Sequence, residues 1–74
     1  MNETNETLGK KLQMYYMSHT VLHIITTNGK FYNGTISYIG AEFLKFIDRK
    51  LGEVLLFFVE IKDVEPYVEE GKWI

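Results

Sequence analysis

Four basic side chains, Lys30, Lys45, Arg49 and Lys50, lie among aromatic residues that recur along this 74-residue chain. Cations of this kind contact phosphates, and Phe31, Tyr32, Tyr38, Phe43, Phe46, Phe57, Phe58, Tyr67 and Trp73 could offer stacking platforms for bases. One base stacked on one ring is worth about 1 to 3 kcal/mol. Two plainer readings compete. Large rings are also how a very small domain fills its interior or an interface, and basic residues in loops are commonly just solvated charge, the reading slightly preferred for these four.

Other chemistries find little support. Ser18 and His19 are adjacent in sequence and so do not face each other, and no Asp or Glu is spaced to orient the histidine. His23 sits among apolar neighbours as a half-buried structural residue would, and no three ligands converge for a metal. Glu60, Asp63 and Glu65 are interleaved with apolar positions like a solvated rim. The expectation is a non-enzyme with no metal and no cofactor.

The formal charge of -2 hides an asymmetry. Residues 1 to 50 hold six bases against four acids, a balance of +2, whereas residues 51 to 74 hold two against six, a balance of -4. Composition alone therefore leans slightly against nucleic acid, although an assembly could still present a locally basic face. The longest apolar run, Val54 to Val59, is too short to cross a bilayer, and no basic stretch followed by an apolar one opens the chain. A cytoplasmic protein without membrane association is expected, so the Asn-x-Thr triplets at Asn2, Asn5 and Asn33 read as polar surface rather than glycan acceptors.

The elements that must position these residues follow from spacing. Residues 1 to 5 read as a flexible polar leader whose Asn or Thr caps a helix over about 6 to 17, with Leu8, Leu12, Tyr15 and Tyr16 on one face. β-Branched density predicts a strand from Thr20 to Thr27, and Asn28-Gly29 supplies the φ > 0 pair of a tight hairpin into a second strand, Lys30 to Ile39. Gly34 permits a sharp bend there. A third strand is expected over Phe43 to Asp48, then a hairpin loop, Arg49-Lys50-Leu51-Gly52, with Gly52 left-handed. Val54 to Val59 forms the fourth strand and Glu60 to Asp63 a turn. Val64 to Val68 is the fifth, where Pro66 implies an edge or a strand end. One domain thus spans residues 6 to 68, ahead of an acidic tail at 69 to 74. Its class is mainly β, a short helix plus a five-stranded, strongly bent antiparallel small barrel.

So short a chain buries little, and with no cysteine it has oligomerisation as its usual remaining stabiliser. Six consecutive apolar residues without alternation, Val54, Leu55, Leu56, Phe57, Phe58 and Val59, would leave one face of a strand in water. A second copy adding its own edge strand would cover them.

Across Val21 to Tyr67 the chain resembles the Sm-like family (Sm, LSm and bacterial Hfq proteins). The likeness rests on Asn28-Gly29, Gly34, the following Ile36 and Ile39, and the Ile61/Val64 pair. It implies an SH3-like barrel in which the fourth strand, Val54 to Val59, pairs with the fifth, Val64 to Val68, of the next subunit, with Val64 and Tyr67 at the contact, closing a homo-oligomeric ring of six or seven. It also implies RNA as partner. The family's uridine-reading pattern is altered, however: Gly40 stands at its Asp, Glu42 at its stacking residue, Leu44 at its Asn, and Phe57-Phe58 at its Arg-Gly. Of the Hfq-type Tyr-Lys-His, Phe57 substitutes the first and Phe58 and Val59 replace the others. The uridine pocket is therefore expected to be divergent or absent. Candidate RNA contacts are Lys30, Tyr38, Gly40, Phe43, Lys45, Arg49, Lys50 and Phe57. The alternative function is a protein-interaction or assembly module on the same barrel, with other proteins as partners.

Overall fold

In the computed structural model, which describes residues 3–68 with side chains from Thr7 onward, a helix leads into five antiparallel strands. The elements are α1 (Glu3–Ser18), β1 (Leu22–Thr26), β2 (Phe31–Ile39), β3 (Phe43–Asp48), β4 (Gly52–Phe57) and β5 (Ile61–Pro66), with a 3-10 turn over Phe58–Glu60. They form one bent sheet in the order β4-β3-β2-β1-β5, so β4 and β5 are its two edges. The acidic tail and Trp73 lie outside the described residues.

Period-2 alternation builds the core. Leu22 and Ile24 on β1, Leu44 and Phe46 on β3, and Val64 on β5 are fully buried, joined by Leu12 from α1. Ile36, Leu56 and Ile61 complete the cluster, and Leu8, Tyr15 and Tyr16 pack against it from the helix face expected to do so. α1 begins earlier than its sequence suggests, taking in residues 3 to 5 of the anticipated leader. Thr4, Asn5 and Thr7 are therefore within the helix rather than ahead of it. At its other end His19 adopts φ 55°, its N–H donating to the Tyr16 carbonyl while Thr20 N–H donates to that of Tyr15. This is a Schellman stop with histidine where glycine is usual. Ser18-His19 is thus a helix terminator, with Ser18 Oγ bonded to Thr20 Oγ1 at 2.6 Å.

The bend in β2 turns on Gly34, which pairs with Leu22 of β1 on one side and Asp48 of β3 on the other. A Cβ there would overlap the Ile47 carbonyl oxygen and lie 2.8 Å from its carbonyl carbon. Only glycine lets the two backbones approach so closely.

Two local readings need correction. The β1–β2 connection is not a two-residue turn with paired positive φ, because Gly29 at 88° is left-handed and Asn28 is not. It is a three-residue loop of the bulged type, with Gly29 N–H donating to Thr26 O and Thr26 N–H to Lys30 O. Thr26 Oγ1, nearly buried, accepts from Lys30 N–H and so tightens the loop. Further along, β4 starts at Gly52 and stops at Phe57, so Phe58 and Val59 leave the strand into the 3-10 turn, and β5 begins at Ile61 rather than Val64. Phe58 N–H still donates to the Glu42 carbonyl, one step past the Phe43–Phe57 pair, while the Glu60 carboxylate accepts from Phe57 N–H at the start of the turn. Pro66 ends the edge strand β5, where its missing N–H costs no ladder bond.

Gly34→Ala is expected to destabilise the fold by more than about 3 kcal/mol, or to abolish folding, because backbone and not a movable side chain blocks the new methyl group. By contrast, Gly9→Ala, mid-helix with nothing within 4 Å of the new Cβ, should stabilise by about 0.5 to 1 kcal/mol. Urea unfolding followed by circular dichroism reads both.

Candidate nucleic-acid interface

The end of β2, the start of β3 and the end of β4 place three rings in a row. Tyr38 and Phe43 centroids lie 5.8 Å apart and Phe43 and Phe57 6.0 Å apart, all tilted rather than stacked face to face. Gly40 makes room for this row: a Cβ on it would meet Phe43 Cε1 at 3.1 Å and Tyr38 Cε2 at 3.3 Å. Its N–H donates to the Phe43 carbonyl at 2.8 Å, closing the β2–β3 turn. Lys45 Nζ stands 5.8 Å from the Tyr38 centroid and 3.9 Å from Glu53 Oε2. Tyr38, Gly40, Phe43, Lys45 and Phe57 are therefore brought together, as a cation beside an aromatic row.

The remaining candidates fall elsewhere. Lys30 lines a small cleft of about 240 Å³ with Thr26, Asn28, Leu55 and Glu60. Arg49 and Lys50 sit at the β3–β4 loop, at the other end of the β2–β3 pair. Leu44, counted by resemblance to a base-reading position, is fully buried in the core, and its neighbours Phe43 and Lys45 occupy the outward face instead. Strand parity decides this, since a shift of one residue exchanges the faces. Glu42 is exposed on the turn.

Asp48 organises the basic loop, a role its sequence position does not announce, although an Asp bonding backbone two or three residues ahead is a known turn signal. Its Oδ2 accepts N–H bonds from Lys50 and Leu51, and its Oδ1 accepts one from Asn33. Burial acts to raise its pKa. The bonds from Leu51, Asn33 and Lys50, with the Lys50 charge, outweigh that and hold the carboxyl below its ordinary 3.8. Gly52 at φ 82° closes the loop in the left-handed conformation anticipated. Beside it, Arg49 stacks over the Tyr67 ring at 5.1 Å.

The anticipated subunit contacts divide by side. Leu55, Phe57 and Val59 are 48%, 44% and 85% exposed. Leu56 and Val64 point into the core, so they reach the edges through backbone alone, which removes them as side-chain contacts. Val54 and Phe58 are half-buried against the core, and half-buried Tyr67 follows β5, its N–H donating to the Val21 carbonyl. Among the described residues no helix is long and apolar enough to cross a membrane, and no group of three or more His, Asp or Glu is placed to hold a metal ion.

No protein-family model matches the chain, and no curated protein matches it in sequence. Among solved structures it is similar to the 1.55 Å crystal structure of the pleiotropic translational regulator Hfq, with a TM-score of 0.69 at 16% identity, covering 78% of this chain and 95% of that one. The likeness is one of architecture. The chain has the Sm-like fold, a helix followed by five antiparallel strands in a bent sheet.

Asp48→Asn presents an amide N–H2 where backbone N–H groups need an acceptor, and should cost about 1 to 3 kcal/mol at neutral pH. Because the folded carboxyl titrates below its unfolded value, its contribution is complete above 3.8 and is lost as pH falls through the depressed folded pKa. Denaturation midpoints of the wild type should thus decline across that acid range more steeply than those of the variant.

Proposed function

We propose that this chain is the subunit of a closed homo-oligomeric ring, six or seven copies, that binds single-stranded RNA without catalysis. The carrying observation is the pair of unlike free edges, β4 and β5, with Leu55, Phe57 and Val59 exposed along and just beyond the first. An apolar edge strand invites another strand, and joining unlike edges by rotation closes a ring. The row Tyr38–Phe43–Phe57 with Lys45 supports RNA as ligand, since bases stack on rings whatever their identity and a cation serves the phosphate. With core-facing Leu44 and acidic Glu42 at the turn, the uridine-specific arrangement of the family has no counterpart, so contact by stacking predominates over base reading. A second reading, a protein-assembly module without RNA, draws on Lys45 being already engaged by Glu53.

Leu55→Glu should convert the assembly to an 8.7 kDa monomer in light scattering after nuclease treatment; an unchanged mass would count against the ring. Tyr38→Ala or Phe43→Ala should weaken binding to short oligo-U and oligo-A alike, by about 5- to 100-fold per ring, with a steep salt dependence. Undetectable binding by the wild-type protein would favour the assembly module.

A further inference from the structure

Two β-branched side chains stand partly in water on the outer face of the sheet. Val21, just ahead of β1, is 46% exposed and Ile47 of β3 is 40% exposed, each one residue out of phase with the core-facing Leu22 and Phe46. Between them lies a groove of about 620 Å³, lined also by Gly34, Thr35, Arg49 and Tyr67. That size seats a compact organic group, since small-molecule sites run from roughly 300 to 1,000 Å³. The charged group in the lining is the Arg49 guanidinium, which lies over the Tyr67 ring and has no ion-pair partner among the described residues. The group that fits is large, apolar and flanked by negative charge.

The chain itself leads such a group to this place. β5 runs antiparallel beside β1 with Leu22 opposite Pro66, and Tyr67 N–H donates to the Val21 carbonyl at 2.8 Å, so the described chain leaves the sheet at the wall of the groove. Beyond Val68 the sequence continues Glu69-Glu70-Gly71-Lys72-Trp73-Ile74, outside the described residues. The five residues from Val68 to Trp73 reach up to about 17 Å. Crossing from β5 over β1 to β2 takes two strand spacings, about 10 Å in all, which leaves slack for a turn. Trp73 and Ile74 are the apolar side chains of that segment, and Glu69 and Glu70 precede them, opposite in sign to Arg49 and Lys50 of the β3–β4 loop. Removing the indole, Val21 and Ile47 from water together supplies the driving force, and the unlike charges set the direction. Met14 and Met17 on α1 are also bare, but the departing chain lines no part of that patch.

We propose that residues 69–74 fold back over the outer face of their own sheet, with Trp73 seated between Val21 and Ile47 and Glu69 or Glu70 paired with Arg49. The groove is then an intramolecular docking site whose occupant the chain carries with it. Neither the ring nor RNA enters this inference.

Trp73 is the only tryptophan of the chain, so its fluorescence in the full chain reports the contact. Its emission should be blue-shifted from that of free N-acetyltryptophanamide, and a docked-to-free ratio of about ten should cut acrylamide quenching about tenfold. Ile47→Lys, an outward position, should return both readings to those of free indole while far-ultraviolet circular dichroism stays unchanged. Arg49→Gln should raise quenching at low salt and not at high salt. Amide chemical shifts read the same contact independently: Trp73→Ala should move Val21, Thr35 and Ile47 and leave Met14 and Met17 in place. Wild-type emission equal to that of free indole, quenching unaltered by Ile47→Lys, or Trp73→Ala shifts confined to Met14 and Met17 overturns the proposal. Isotopically labelled Trp73→Ala, co-refolded with unlabelled wild type, identifies the donor. Labelled Val21 and Ile47 signals that keep their variant positions support docking within one chain, and signals that revert to wild-type positions overturn it in favour of a second copy.

Discussion

The close approach of β2 and β3 at Gly34 is the constraint on which the rest of the molecule depends. At that residue the sheet changes partner: β2 pairs with β1 up to Gly34 and with β3 from Gly34 onward. A nine-residue strand thereby serves both halves of the curl, and the missing side chain is what lets the Ile47 carbonyl sit against it. Asp48, the residue opposite, turns its carboxylate onto the neighbouring Asn33 N–H as well as onto the following loop. Bend and loop anchor are thus one unit, and the Arg49/Lys50 loop is displayed from the most tightly constrained point of the sheet.

Much of this was readable in the residues. Glycines at 29, 34 and 52, β-branched density in β1, and the apolar face of α1 each state a local preference that the fold satisfies. The misses share a cause. Val54 to Val59 offers no alternation, so the apolar run itself does not say that the strand stops at Phe57; the Glu60 carboxylate, three residues on, takes the Phe57 N–H at the start of the turn. Likewise Asn28-Gly29 is compatible with two loop types, and the Thr26 hydroxyl selects the longer one by taking the Lys30 N–H. At the site, residue types were legible but adjacency was not. Leu44 faces the core and Phe43 the outside, a strand parity that matching residues to a family pattern does not reveal.

Charge in this protein works by location rather than total. The chain as a whole is acidic, yet each of its exposed aromatic clusters has a cation beside it: Lys45 near Tyr38, and Arg49 with Lys50 near Phe31 and Tyr67. The two settings differ in what restrains the cation. Lys45 has a carboxylate at 3.9 Å, a contact both exposed and weak, whereas Arg49 lies over an aromatic ring. An acidic background discourages indiscriminate adhesion to polyanions while leaving short-range attraction at those two places.

The two ends of the sheet are unlike, β4 apolar and β5 carrying Lys62, Asp63 and Glu65. In the ring proposed above, growth through them would be directional, each copy offering a different surface at its front than at its back. A copy spoiled at β4 alone would still dock by β5 and then refuse the next arrival, acting as a chain terminator. Damage confined to one side would in that way be more poisonous to a mixed population than outright loss of the subunit, which merely lowers the supply.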